Sequence, residues 1–291
     1  MALRLVVGTS TEQIARLFLV PTATMAARLT RAQKKIVVAG IPLGAPVAAE
    51  LRSRLDGVCR TIYLSFTAGY TPGVGPDLLR ADLAGEAVQL AAVLHDVVAG
   101  APQVQALRAL LLIQHSRRNA RVRDGQLITL AHQDRSLWHH GEIAMGLSLV
   151  SALAPGEGYA EELRLQALIA AEHARARTAD LTNWAVIAGH YATLEVHTAS
   201  PIVRLNRAVA LAEADTPEAG LALLIGLDEM LSDSHRLAAV RADLAQRVGN
   251  TELAQASYRK AIELCCNVIE RDFLQSRLDD IDTETNGSRP P

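Results

Sequence analysis

Apolar residues recur three and four apart through almost every segment of the chain, and Gly and Pro fall between those segments. Alternating β-branched runs, the mark of half-buried strands, are rare. A chain patterned this way buries its apolar stripes by packing helix on helix, so the expected class is all-α. The spacing predicts helices over 11–19, 22–38, 48–69, 76–98, 102–120, 135–153, 158–175, 181–196, 201–213, 217–231, 235–248, 251–265 and 268–281. One stretch departs from the pattern. In RVRDGQLITL, residues 121–130, Asp124-Gly125 is a tight-turn pair, and Leu127, Ile128 and Leu130 suit a short strand, so a small hairpin is expected.

With 291 residues, 49% of them apolar, the chain can bury a large core as one large or two modest domains. The segment 38–47, with two Pro and two Gly, is the best boundary. It divides a head (1–38) from a helical body (48–282) by a linker (39–47), with a polar, flexible tail at 283–291. Charge divides at the same place. Arg4, Arg16, Arg28, Arg31, Lys34 and Lys35 face a single Glu12 in residues 1–38, a net of +5, which leaves −7 for residues 39–291 out of an overall −2. A basic head on an acidic body suits a polyanion at one end.

Cys59, Cys265 and Cys266 make no disulfide framework and contain no CxxC, so they read as buried thiols in a reducing cytoplasm. Neither a secretory leader nor a membrane-length apolar run is visible, so no membrane partner is expected.

In the head, Ile14, Leu17 and Phe18 form one apolar stripe, and Val20-Pro21 breaks the chain before a second helix. There Met25, Leu29, Ala32 and Ile36 make an inward face, and Arg28, Arg31, Lys34 and Lys35 lie away from its centre. Two helices, a short turn and cations on the second helix describe a helix-turn-helix able to enter a major groove. Near the C-terminus, residues 206–224 repeat at 240–258 with an offset of 34: Ala208 falls on Ala242, Gly220 on Ala254 and Leu224 on Tyr258. Small residues at the first two places and a large one at the third form a tetratricopeptide pattern, which serves protein binding.

These motifs carry a resemblance. The run STEQIARLFLVPTATMAARLTRAQKKI resembles region 4 of the extracytoplasmic-function sigma factors, through Gln13-Ile14-Ala15, Thr24-Met25, Arg28-Leu29 and Arg31-Ala32-Gln33-Lys34-Lys35. The remainder is similar to the subgroup with a helical, tetratricopeptide-like extension, through YLSFTAGY (63–70), LLRADLAGEAVQL (78–90), HSRRNAR (115–121), HQDRSLW (132–138), LQALIAAEHA (165–174) and SPIVRLNRAVALAEA (200–214). The resemblance implies a transcription initiation factor, or a C-terminal fragment of one, with promoter DNA and RNA polymerase core as partners. Arg28 and Arg31 would touch the −35 element, with Thr22, Thr24 and Lys34 near phosphates and Lys35 on the same helix. Ala26 and Ala27 stand where many members carry Lys and Gln or Ser. Region 2, which grips polymerase and melts the −10 element, has no counterpart, so this chain is not expected to initiate transcription alone. The alternative is a stand-alone repeat adaptor that binds a protein and ignores DNA.

Chemistry finds little support, and neither an enzyme, a metal nor a cofactor is expected. On a helix starting near Asp134, His139 and His140 would point about 100° apart; Asp134 reads as an N-cap and Trp138 as core. TPGVGPDLLR, 71–80, lacks the Lys-Ser/Thr of a phosphate loop. Asp82 and Glu86 have ordinary helix-surface spacing. His173, His190 and His197 are scattered, and no nucleophile elbow occurs. Arg117, Arg118, Arg121 and Arg123 form a second basic cluster, read as a solvated face that could also meet DNA or polymerase.

Overall fold

The computed structural model describes residues 1–5, 7–18, 20–40, 48–70, 81–123 and 126–287. Most of the described chain is helical, with one two-stranded ladder, so the class is all-α. The Pro/Gly segment 41–47, the loop 71–80 and the turn Asp124-Gly125 lie outside the described residues. No helix among the described residues is long and apolar enough to cross a membrane.

The chain divides into two compact units. The first takes residues 1–73, 77–118 and 139–164; the second takes 74–76, 119–138 and 165–291. In the first unit a short helix, α1 (Ala2–Leu5), precedes α2 (Thr11–Leu17) and α3 (Thr22–Val38). Then come α4 (Ala48–Tyr70), α5 (Ala81–Val97), α6 (Pro102–His115) and α7 (His140–Ser151), each packed on the one before it in the series α4 to α7. Helix α8 (Gly158–Arg175) runs across the boundary at Arg164. The core of this unit is densest in α6, where Val104, Ala106, Leu107, Ala109, Leu110 and Leu111 are fully buried. Gly146 of α7 meets α6 closely: a Cβ there would lie 2.6 Å from Ile113 Cγ1.

The second unit continues with α9 (Trp184–Thr198), α10 (Pro201–Ala214), α11 (Pro217–Leu223), α12 (His235–Arg247), α13 (Thr251–Leu264) and α14 (Val268–Gly287). It also holds strands β1 (Val122–Arg123) and β2 (Gln126–Leu127), which pair antiparallel with Val122 opposite Leu127 and Arg123 opposite Gln126. The 34-residue offset recurs in the helix starts, from Pro201 to His235 and from Pro217 to Thr251. The caps repeat too: Thr216 and Asn250 each accept a backbone N–H three residues on. Ala208, Ala242 and Ala254 have no exposed surface, and Leu224 and Tyr258 are buried. At Gly220 a Cβ would stand 2.7 Å from Ala208 O and from Ala212 Cβ, so only Gly lets these helices meet.

Several helix bounds differ from those expected. The segment expected as one helix over 102–120 ends at His115 and resumes as a 3-10 turn, Arg118–Ala120. The helix expected over 217–231 stops at Leu223, with Leu224 at its C-cap, and Gly226 takes a φ of +82° in the turn that follows. The helix expected from 135 is a 3-10 turn, Arg135–Leu137, followed by α7 from His140. The last helix runs beyond Ile281 to Gly287. Of the thiols, Cys59 and Cys265 are buried but Cys266 is exposed, which corrects the reading of three buried cysteines.

Candidate nucleic-acid interface

The head is built from little. Ser10 caps α2 by accepting from Gln13 N at 3.2 Å, and Gln13 Oε1 accepts from Ser10 N at 2.9 Å, a reciprocal capping box. Pro21 stands at the N-cap of α3 rather than inside its first turn, with extended ψ and no side-chain cap. Between the two helices Leu3, Ile14, Ala15 and Met25 form a small core, with Val7, Leu17, Val20, Leu29 and Leu64 packed on it. Leu64 belongs to α4, so the head rests on that helix. Phe18, expected in the apolar stripe of α2, is instead half-exposed.

Burying Met25 and Leu29 fixes what α3 presents outward. Thr22, Thr24, Arg28, Arg31, Lys34 and Lys35 are all exposed. At about 100° per residue, Thr24, Arg28, Arg31 and Lys35 fall within about 60° of one another, about 100° from the buried stripe. Lys34 lies about 60° beyond Arg31, and Thr22 lies on the far side of the buried stripe. The helix therefore brings four of the six expected contacts into one row and sets two apart. Among the described residues no carboxylate pairs with Arg28, Arg31, Lys34 or Lys35; Arg31 Nε donates only to Ala27 O at 3.3 Å, within its own helix. Ala23, Ala26, Ala27, Thr30, Gln33, Val37 and Val38 make up the rest of the exposed surface, so the cations supply most of its polar reach.

The second basic cluster does not form such a row. Arg118 donates to both carboxylate oxygens of Glu142, at 2.9 and 2.8 Å, and to His115 O at 3.0 Å, tying α6 to α7. Burial and the Arg118 charge hold His115 below its ordinary pKa, so its imidazole stays neutral near pH 7. Arg117 and Arg121 also have partners, and Arg123 is exposed near Asp134. The reading of this cluster as a solvated face is corrected for Arg118.

The remaining candidates sort simply. Asp134 caps as expected, accepting from Ser136 N at 2.9 Å and from its hydroxyl at 2.7 Å, and these bonds hold its carboxyl below the usual range. Trp138 is core, and Trp184 packs edge-on against His173. Asp82 and Glu86 are exposed along α5. Cys59 is fully buried, and burial pushes its thiol up to about 12, which disfavours the thiolate.

One cluster was missed by sequence reasoning. His235 opens α12, Cys265 caps the end of α13, and Glu270 sits in the first turn of α14. Their ligand atoms lie within 4.8 Å of one another. Burial acts to raise Glu270, but hydrogen bonding to His235 and its charge prevail and hold the carboxyl below its ordinary value; burial pushes the Cys265 thiol up. A His and a Cys thirty positions apart, followed by a Glu five further on, match no local metal motif, so nothing in the sequence marks them.

Architecture and surface together define an all-α protein of paired helices carrying an exposed basic helix near its N-terminus. Residues 54–154, which take in most of α4 through α7, match the family described as "Family of unknown function (DUF6596)". Over 289 residues the chain is 39% identical to "Uncharacterized protein R00370" of Rhizobium meliloti (strain 1021), an alignment covering 98% of this chain and 67% of that protein. The chain belongs to the family of that rhizobial protein. No solved structure matches it.

Proposed function

We propose that this chain is the promoter-reading and regulatory portion of an extracytoplasmic-function sigma factor. In this reading α2 and α3 are a helix-turn-helix that docks α3 against the −35 element. Arg28 and Arg31 reach base edges or phosphates, Lys35 and Thr24 extend the row along the backbone, and Lys34 and Thr22 flank it. Helices α10 to α13 are tetratricopeptide-like units whose surface meets the polymerase core or another protein. The observation that carries the reading is the row of exposed cations without carboxylate partners, in a head that resembles region 4. Solvated cations without internal partners lose little when a phosphate replaces water, and released counterions favour the exchange.

Fluorescence anisotropy against duplexes carrying candidate −35 elements tests it. Four phosphate contacts give a slope of log K against log salt near ~−3.6. Replacing Arg28 and Arg31 together by Ala halves the slope, to about −1.8, and removes sequence preference. Binding that ignores both the salt and the double substitution overturns the reading.

A second reading, a helical adaptor that ignores DNA, draws on one observation. Val196, Ile225 and Met230 are exposed in the second unit, and Val196 and Met230 line an open groove with Arg204 and Arg207. Under it, charge reversal at Arg207 abolishes partner capture while the Arg28 and Arg31 substitutions change nothing.

A further inference from the structure

We propose that His235, Cys265 and Glu270 form a binding site for a thiophilic divalent cation, zinc above all, clipping the start of α12 to the α13–α14 turn. This goes beyond the promoter-reading role and does not depend on it.

The spacing carries the argument. His235 Nε2 lies 3.2 Å from Glu270 Oε2, and Cys265 Sγ lies 3.9 Å from the same oxygen. Around a tetrahedral zinc, with Zn–N about 2.05, Zn–O about 2.0 and Zn–S about 2.3 Å, those two edges are about 3.3 and 3.5 Å. Both edges at Glu270 are thus within about 0.4 Å of what the ion requires, and the third, from His235 to Cys265, is at most 4.8 Å and closes to about 3.5 Å when the ion draws its ligands in. Imidazole, thiolate and carboxylate are also the three donor types zinc uses, and the thiolate disfavours magnesium or calcium.

Charge and access agree. A thiolate, a carboxylate and a neutral imidazole carry −2, which a divalent cation cancels. Cys265 lies in the core cluster with Leu274 and Leu278, where a lone thiolate is costly, so its thiol gives up the proton only as the ion takes its place. The other side is open: the His235 and Glu270 side chains are 27% and 21% exposed, leaving an entry path and a fourth position for water. The surrounding bonds fix the ligands. Asn267, 5% exposed, caps α14 by accepting from Glu270 N at 3.0 Å, and its backbone carbonyl lies 3.4 Å from Cys265 Sγ. Arg236 and Arg271 act on Glu270 and Cys265 respectively and favour the anionic ligands. They also oppose the incoming cation, which argues for moderate affinity.

The test uses the full chain, tag removed, reduced with a phosphine, stripped with chelator and titrated with cobalt(II) and then zinc. The expected result is one equivalent of cobalt with a sulfur-to-cobalt charge-transfer band, displaced by zinc. Cys266→Ala keeps the band and Cys265→Ala loses it. Because Cys265 is buried, His235→Gln and Glu270→Gln serve as surface-accessible controls of folding, and each weakens cobalt binding at least tenfold with an unchanged circular dichroism spectrum. No charge-transfer band in the wild type overturns the proposal. So does a band that follows Cys266, or one indifferent to His235 and Glu270.

Discussion

The head and the C-terminal helix pairs are both small helical packings, yet they use charge and small residues in opposite ways. In the pairs α10–α11 and α12–α13, several cations are tied down, as where Arg207 meets Glu195 of α9 at 3.0 Å and Arg241 meets Asp228 at 2.7 Å, though Arg259 and Lys260 of α13 stay exposed. Their contacts are set by Ala208, Gly220, Ala242 and Ala254, which bring the backbones close. The head holds four buried apolar side chains and leaves its cations exposed. The difference teaches where selection for stability ends. The pairs gain from each additional contact, whereas the head keeps an exposed charged row without carboxylate partners among the described residues.

The comparison is tested first where packing is tightest. Gly220→Leu drives a side chain into Ala208 O and Ala212, both already 2.7 Å from where its Cβ would stand. A loss of about 3 kcal/mol is expected, read by urea unfolding followed by circular dichroism. Unchanged stability would mean these helices do not pack at van der Waals contact. Next is the tie between α6 and α7. Glu142→Gln leaves Arg118 and His115 without their anion, and because the three side chains are 11–27% exposed the cost is about 1–2 kcal/mol, less than for a fully buried pair. A thermal melt of the variant beside wild type measures it.

In the head, Ser10→Ala removes the hydroxyl of the capping box and costs about 1 kcal/mol. Amide exchange over residues 11–17 should rise while exchange in α12 and α13 stays put. A smaller effect is the pH dependence centred on His115. Its folded pKa lies below the ordinary 6.5, so the unfolded state takes up a proton first as pH falls. Stability from this group is complete above about 6.5 and is lost as pH falls below it. His115→Gln should flatten the fall in melting temperature between pH 7.5 and 5.5 relative to wild type. Smallest of all, Arg28→Ala with Arg31→Ala should leave the melting temperature within error, since neither side chain has a carboxylate partner; a clear loss would show that the row is structural after all.

Much of the fold was legible. The all-α class, the position of α3, the presence of a small hairpin and the 34-residue repeat follow from spacing, because helix period and turn chemistry are local; of the expected strand residues, however, only Leu127 lies in β2, and Leu130 opens a 3-10 turn. The paired placement of Ala208 and Gly220 was readable for the same reason: a repeat writes each contact twice. Helix ends were harder. The breaks after His115 and Leu223 depend on how the chain turns to reach its next partner, and apolar residues continue past both. The surface reading of the Arg117–Arg123 cluster failed at Arg118 because its partner, Glu142, is 24 positions away.

The sequence by itself determined the helical class, the repeat and the concentration of positive charge at the N-terminus, all properties of neighbours along the chain. Tertiary structure decided which cations stay in solvent, that the head rests on α4 through Leu64, and that His235, Cys265 and Glu270 converge. Those outcomes depend on distances between segments far apart in sequence. Packing sets such distances, and no local spacing encodes them.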